Sequence, residues 1–213
     1  MKIFLLSYPR SGNSWIRYFV EFISERPTLG CSSNPDDVPL CTNSLEDNPL
    51  LNVDLTAEPV LFKSHGEGLE SPAQNKLLFI TRSPAIVIKR NCGYFSRKGI
   101  YDYYKLLSVF DRWEGQKLYI KYEELMLSPK ENLQKICTFL DAKQELMDSF
   151  LANYENHKKI SIRLYSDVKS GIPPKGKSKT KGKITNPPKT SAFIFKLVLL
   201  LFGKYYYKKY YYE

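Results

Sequence analysis

The sequence predicts an α/β fold, a three-layer α/β/α arrangement around a mainly parallel sheet of four to five strands. Short β-rich runs recur at Ile3 to Ser7, Val60 to Lys63, Lys76 to Thr81 and Lys117 to Tyr122. The first, third and fourth runs lead into stretches with helical spacing, as crossover connections between parallel strands require. With 213 residues and 43% hydrophobic content, the chain can bury one substantial core and is too short for two comfortable domains.

Helical patterns cover Asn13 to Ser24, Pro84 to Asn91, Tyr101 to Trp113, Pro129 to Leu140 and Gln144 to Asn156. Pro84 and Pro129 suit first-turn positions, with Ser83 and Ser128 before them as expected caps. Between Cys31 and Pro59 lie Asp36, Asp37, Glu46, Asp47, Asp54 and Glu58 with no basic residue, which reads as a long acidic loop, either a lid or an insertion. Gly171 to Lys189, rich in Gly, Pro, Lys, Ser and Thr, reads as a loop. The chain divides into an α/β domain over residues 1–160, with the acidic loop at 31–59, and a basic C-terminal segment over 161–213 that ends in a short apolar and aromatic tail.

The formal charge of +10 would suggest a nucleic-acid partner if it were spread over the fold. It is not spread. From Lys158 onward there are 14 Lys and Arg against Asp167 and Glu213, a surplus of 12, which leaves −2 for everything before. The folded part is therefore not expected to bind nucleic acid. Met1-Lys2 leads straight into a strand-like run without the pattern of a signal peptide, and the longest apolar stretch, Phe193 to Phe202, has about half the roughly 20 residues of a spanning helix. The expectation is a cytoplasmic protein. Cys31, Cys41, Cys92 and Cys137 show no paired CxxC spacing and read as free buried thiols, with a Cys31 to Cys41 disulfide open in an oxidising compartment.

The chemistry concentrates after the first strand, where Tyr8-Pro9-Arg10-Ser11-Gly12-Asn13-Ser14-Trp15 precedes a helical run. A strand, a tight Gly-containing turn and a helix start collect unpaired backbone N–H groups and a positive dipole end at one point, which is an anion site. Arg10 adds a planar charged fork, and Ser11, Asn13 and Ser14 add side-chain hydrogen bonds. The same residues could form an ordinary solvated turn. The turn lacks the GxxxxGK(S/T) pattern of ATP and GTP loops. At the end of the second strand stands Lys63-Ser64-His65, and at the end of the third Thr81-Arg82-Ser83-Pro84. His65 is one of two histidines and the one at a strand's C-terminal end, the edge where open α/β sheets gather ligands. His157, at a predicted helix end, reads as structural.

These three motifs, in this order, resemble the sulfotransferase superfamily over roughly residues 3 to 141. The resemblance implies a P-loop-like fold and 3′-phosphoadenosine 5′-phosphosulfate (PAPS) as cofactor, leaving 3′-phosphoadenosine 5′-phosphate (PAP) as product. Arg10, Ser11, Gly12, Asn13, Ser14 and Trp15 match the family's phosphosulfate loop, and Arg10 would also stabilise charge on the leaving phosphate. Lys63 and His65 match the triplet in which the His is general base and the Lys lies near the sulfuryl group. Imidazole, with an unperturbed pKa of about 6.5, suits removal of an alcohol proton near neutral pH. Arg82 matches the arginine that holds the 3′-phosphate together with a serine eight residues on. Here that position is Arg90, whose guanidinium either takes the phosphate or points to solvent. Lys181 and Gly182 are the nearest counterpart of a C-terminal Arg-Lys-Gly segment that closes over the 3′-phosphate. Ile120 to Leu125 resembles the family's Tyr-Glu-Asp-Leu strand end and reads as structural support.

The expected activity is in-line sulfuryl transfer to a hydroxyl or amine of a small-molecule or carbohydrate acceptor, without a metal. The alternatives are a P-loop-like nucleotide kinase and a non-catalytic sulfotransferase-like nucleotide-binding protein. The tail from Phe193 through Tyr205 to Tyr207 and Tyr210 to Tyr212 fits either a peripheral membrane contact or a terminal helix packed on the core.

Overall fold

A computed structural model describes residues 1–30, 39–42, 48–66, 69, 72–92 and 97–170. Cys31, most of the acidic loop's charged residues, Lys181, Gly182 and the aromatic tail lie outside the described residues.

Five parallel strands form one sheet: β1 (Ile3–Ser7), β2 (Thr28–Leu29), β3 (Leu61–Ser64), β4 (Lys76–Thr81) and β5 (Lys117–Lys121), in the order β2-β3-β1-β4-β5. β1 is central, with Leu5 opposite Lys63 of β3 on one side and Leu78 of β4 on the other. Both faces are covered, as an all-parallel sheet requires. Strand alternation sorts the core into two layers. Ile3, Leu5, Leu78, Ile80 and Ile120 point to one face and Phe4, Leu6, Leu77 and Phe79 to the other.

The first layer is built by α1 (Asn13–Ser24), α4 (Tyr122–Leu127), α5 (Pro129–Phe139), α6 (Gln144–Ala152) and α7 (Tyr154–Ser170). Leu125, Leu133, Ile136, Met147, Phe150, Ile160 and Leu164 carry their apolar faces into the same core as Trp15, Ile16 and Phe19. The second layer is α2 (Pro84–Cys92) and α3 (Arg97–Arg112), which bury Val87, Ile88, Tyr103 and Leu107. The chain therefore leaves β1 toward one face and β4 toward the other. That divergence opens a crevice at the C-terminal ends of β1 and β4, the switch point where α/β sheets bind ligands.

Several local expectations are corrected. The helix predicted over Gln144 to Asn156 is two helices, because Asn153 leaves helical geometry (φ −120°, ψ 27°) and α7 starts afresh at Tyr154. Ser128 stands at the N-cap of α5 but makes no side-chain capping bond. Asn132 ties the two helices at this corner, its Nδ2 donating to the carbonyls of Ser128 (2.9 Å) and Glu124 (3.2 Å). Ser83 caps with its backbone, its carbonyl accepting from Ile86 and Val87 amides. Tyr122 begins a helix rather than ending a strand. Of the cysteines expected to be buried, Cys41 and Cys137 are buried free thiols, whereas Cys92 is only half-buried because it sits at the last turn of α2.

The two-residue β2 is held by a buried polar cluster. Arg17 Nε donates to Thr28 Oγ1 at 2.8 Å, while Glu21 accepts from Thr28 Oγ1, Thr28 N (3.3 Å), Leu40 N (3.2 Å) and Cys41 N (2.8 Å). Burial pushes the Glu21 carboxyl up, opposed by these donors and by Arg17. The cluster fixes the start of the 39–42 turn against α1. Among the described residues no helix is long and apolar enough to cross a membrane.

Candidate active site

The turn Tyr8 to Trp15 occupies the switch point. It closes with Ser11 N donating to the Tyr8 carbonyl at 3.3 Å, and Ile16 N to the Gly12 carbonyl at 3.2 Å as α1 begins. Arg10 takes a left-handed backbone conformation (φ 74°), an energetically costly one for a residue with a side chain. Gly12, the N-cap of α1, has φ 104°. A Cβ there would lie 2.5 Å from Cδ2 of Tyr122, so the tyrosine ring rests directly on the glycine backbone. The amides of Asn13, Ser14 and Trp15 form the first turn of α1, where N–H groups have no acceptor within the helix.

Among the described residues, the buried polar atoms at this edge without a hydrogen-bond partner are Ser7 Oγ, Ser11 Oγ, Asn13 Oδ1, Trp15 Nε1, Arg82 Nε and Tyr154 Oη. Buried polar groups are nearly always paired, so a concentration of unpaired ones marks a place where the fold reserves hydrogen bonds for something other than itself. The donors among them suit a polyanion: the hydroxyls and the N–H groups of Trp15 and Arg82 can donate, and Arg82 carries a permanent charge, whereas Asn13 Oδ1 can only accept.

Arg82 follows β4, and its backbone and side chain are both held. Its carbonyl accepts from Tyr103 Oη at 3.0 Å, and the next amide, Ser83 N, donates to Glu123 Oε1 at 2.9 Å. The guanidinium stacks over Tyr122 at 4.4 Å from the ring centroid. Tyr122 thus touches both the phosphate-type turn and the arginine. Tyr154, at the start of α7, packs edge-on to Trp15 (5.7 Å), and its buried hydroxyl has no partner. Burial raises that phenol to about 12, so it is a neutral donor at physiological pH. Tyr154 lies in no sequence motif, and Tyr122 falls in the Ile120 to Leu125 segment that reads as structural support rather than as part of a site. Tyr122 had a signal, its place immediately after a strand on the ligand edge. Tyr154 had none, since only the break at Asn153 brings it to Trp15.

His65 follows β3, where Gly66 (φ 98°) makes the turn. Its Nδ1 lies 2.6 Å from the Ser7 carbonyl oxygen, which can only accept. Nδ1 therefore carries the proton, and in the neutral ring Nε2 carries the lone pair. Lys63 is half-buried on β3, paired in register with Leu5 on the α1 side. Arg10 and Ser14 are half-buried in the turn. Arg90 is placed differently from Arg82, exposed in the last turn of α2.

On the opposite side of the turn lies a cleft of about 290 Å³, lined by Tyr8, Pro9, His65 and Gly66 and by residues of α3. Tyr8 is buried beneath it, its hydroxyl 3.9 Å from Cys92 Sγ, and desolvation pushes its phenol up to about 12. His157, as expected, is structural. It stacks on Phe150 at 4.3 Å, pairs with Tyr18 Oη at 2.7 Å through Nδ1, and is held below the usual imidazole range by burial.

An all-parallel sheet with a strand, a Gly-containing turn and a helix at its switch point defines a P-loop-like α/β architecture. Solved structures narrow that class. The chain is similar to mouse sulfotransferase SULT7A1 complexed with PAP, at 16% identity and a TM-score of 0.56 over 96% of this chain and 85% of that one. It is also similar to retinol dehydratase in complex with androsterone and the inactive cofactor PAP, at 15% identity and a TM-score of 0.51 over 98% and 80% of the two chains. Retinol dehydratase with retinol and PAP matches at 14% identity and a TM-score of 0.52. No family model and no curated protein matches the sequence. The chain has the sulfotransferase fold.

Proposed function

We propose that this protein is a PAPS-dependent sulfotransferase acting on a hydroxyl acceptor. The observation that carries the reading is the set of unpaired buried donors, Ser11 Oγ, Trp15 Nε1 and Arg82 Nε, around a helix N-terminus at the switch point of this fold. The residues present fit the nucleotide. Ser11, Gly12, Asn13, Ser14 and Arg10 would hold its 5′-phosphosulfate, Arg82 its 3′-phosphate, and Trp15, Tyr122 and Tyr154 its apolar and ring portions. Bound there, PAPS supplies a sulfuryl group on a phosphate leaving group.

His65 accepts the acceptor's hydroxyl proton at Nε2. The Ser7 carbonyl holds Nδ1–H and so keeps the tautomer correct for that task. Arg10, Lys63 and the first-turn amides of α1 stabilise negative charge from fixed positions, which is where most of the acceleration in such a transfer arises. Tyr122 positions Arg82 for the 3′-phosphate, and this reading does not call on Arg90, which is exposed in the last turn of α2.

Two measurements test the reading. Calorimetric titration should show PAP binding well above AMP, and equal negligible binding of both would sink the donor assignment. With radiolabelled PAPS and an acceptor panel, His65→Ala should lose about 10²- to 10⁴-fold in transfer rate while keeping PAP affinity. Wild-type transfer by that variant would remove His65 from the chemistry.

A further inference from the structure

The cleft beside His65 has a charged wall that the donor site does not use. One side is Tyr8, Pro9, His65 and Gly66; the other is α3, which contributes Lys98, Asp102, Lys105, Leu106 and Val109. The charged residues recur at i, i+4 and i+7, one stripe of the helix. Packing fixes how close that stripe stands. A Cβ on Gly66 would come within 2.9 Å of Leu106 Cδ2, so α3 lies directly against the turn that carries His65.

Lys98 and Lys105 are exposed to the cleft, and among the described residues ion pairs are made by Lys76, Lys121, Lys143 and Lys158. Asp102 lies between them on the helix and offsets part of their field, leaving the wall with a surplus of one positive charge. A neutral acceptor has no use for two ammonium groups opposite the base, and a cationic one is repelled by them. An anionic acceptor needs them, because it must enter beside a multiply negative nucleotide, in a cleft where like-charge repulsion exceeds its value in bulk water. Leu106, Val109 and Tyr8 offer apolar surface for a ring or carbon stem between the charged group and the reacting hydroxyl.

Resting on the sulfotransferase reading, we propose that the acceptor is a hydroxyl compound bearing an anionic group, and that Lys98 and Lys105 bind that group while His65 meets the hydroxyl. A cleft of about 290 Å³ accommodates one ring with a short side chain.

The test uses the full chain, radiolabelled PAPS and matched acceptors: 4-hydroxyphenylacetate against its amide, methyl glucuronide against methyl glucoside, and tyramine as the cationic counterpart. Calorimetry of the same compounds on PAP-loaded protein reads binding without turnover. The anionic member of at least one pair should show a kcat/KM about tenfold higher than its neutral partner, carried by KM and reduced by salt. In the Lys98→Gln, Lys105→Gln double variant the preference should shrink to about threefold or less with PAP affinity kept. Equal use or binding of neutral members, preference for tyramine, no binding of either anion to PAP-loaded protein, or a preference that survives the double variant would each overturn the proposal. A double variant that loses PAP affinity and keeps its acceptor preference overturns it too, by assigning the lysines to the donor. Failure of wild-type protein to bind PAP is a separate outcome that refutes the donor reading.

Discussion

Replacing Gly12 by alanine tests whether the turn, Tyr122 and Arg82 act as one unit. The backbone at Gly12 has φ 104°, beyond the left-handed region that side-chain-bearing residues tolerate, and holding alanine there costs roughly 1–3 kcal/mol. The new Cβ would stand 2.5 Å from Tyr122 Cδ2 and 2.7 Å from Cε2, where carbon atoms prefer about 3.5–4.0 Å. The ring must therefore retreat by about 1 Å into a packed layer, which adds about 1–3 kcal/mol of overpacking. The sum, about 2–6 kcal/mol, is a large share of the roughly 5–15 kcal/mol that stabilises a typical domain. Urea unfolding of Gly12→Ala, Tyr122→Ala and the double variant forms a cycle that separates the two parts. The collision disappears when the ring is removed, so the double variant should be more stable than additivity predicts by about 1–3 kcal/mol. Because the retreating ring carries the Arg82 stack, PAP affinity should fall in Gly12→Ala as well. A Gly12→Ala protein with wild-type stability would refute the backbone argument, and strict additivity with Tyr122→Ala would refute the contact.

Two further substitutions address the structural clusters. Burial lowers the His157 pKa, so just below about pH 6.5 the unfolded chain takes up a proton on this imidazole and the folded chain does not. Stability from this group is complete above that pH and falls with acid, by at most about 1.4 kcal/mol per pH unit. Thermal melts should show the slope between pH 7 and 5.5 flatten in His157→Phe, and an unchanged slope would remove His157 as its source. Glu21→Gln keeps one carbonyl oxygen for four donors and turns an amide NH₂ toward the others, which should lower the urea midpoint by an amount corresponding to about 2–4 kcal/mol. A midpoint equal to wild type would show that the cluster contributes little.

How much of this was readable in advance depended on the range of the interactions. β1, α1 and β4 have the predicted boundaries because each is a long apolar run ended by local chemistry, the Gly12 turn or the Pro84 start. β2 carries no periodic signal in two residues, and it exists because Arg17 and Glu21, on a different element, supply its polar partners. Helical spacing continues through Asn153, so the break there is invisible locally. Its cause is tertiary, since Trp15 takes Tyr154 and Tyr18 takes His157, both from α7. α3 begins four residues before the predicted Tyr101, in a Lys-Gly stretch that reads as loop. The motif residues Arg10 to Trp15, His65 and Arg82 were legible because strand ends place them on one edge whatever the remaining packing. Their partners, the Ser7 carbonyl on His65 and the Tyr122 ring under Arg82, come from other elements, so the contacts themselves have no local signature in sequence.

The turn also divides the site, and this follows from which core its two ends join. Tyr8 packs into the α2/α3 layer against Tyr103, with ring centroids 5.5 Å apart, whereas Trp15 packs into the α1/α7 layer against Tyr18 and Tyr154. Eight residues thus cross the end of the sheet from one face to the other. The proposed nucleotide contacts, Trp15, Tyr122 and Tyr154, belong to the first layer, and the lysine-bearing cleft belongs to the second. His65 is attached to the seam between them through the carbonyl of Ser7, the last residue of the central strand. That bond ties the His65 ring to the central strand, while α3 lies against the turn that follows it. Changes at the cleft-lining Lys98 and Lys105 should therefore redirect acceptor choice and leave donor binding in place, whereas changes at Tyr103, which holds the Arg82 carbonyl, should not. The two halves meet at β1 and its turn and again where Tyr103 of α3 donates to the Arg82 carbonyl, so independence belongs to the cleft-lining lysines and not to α3 as a whole.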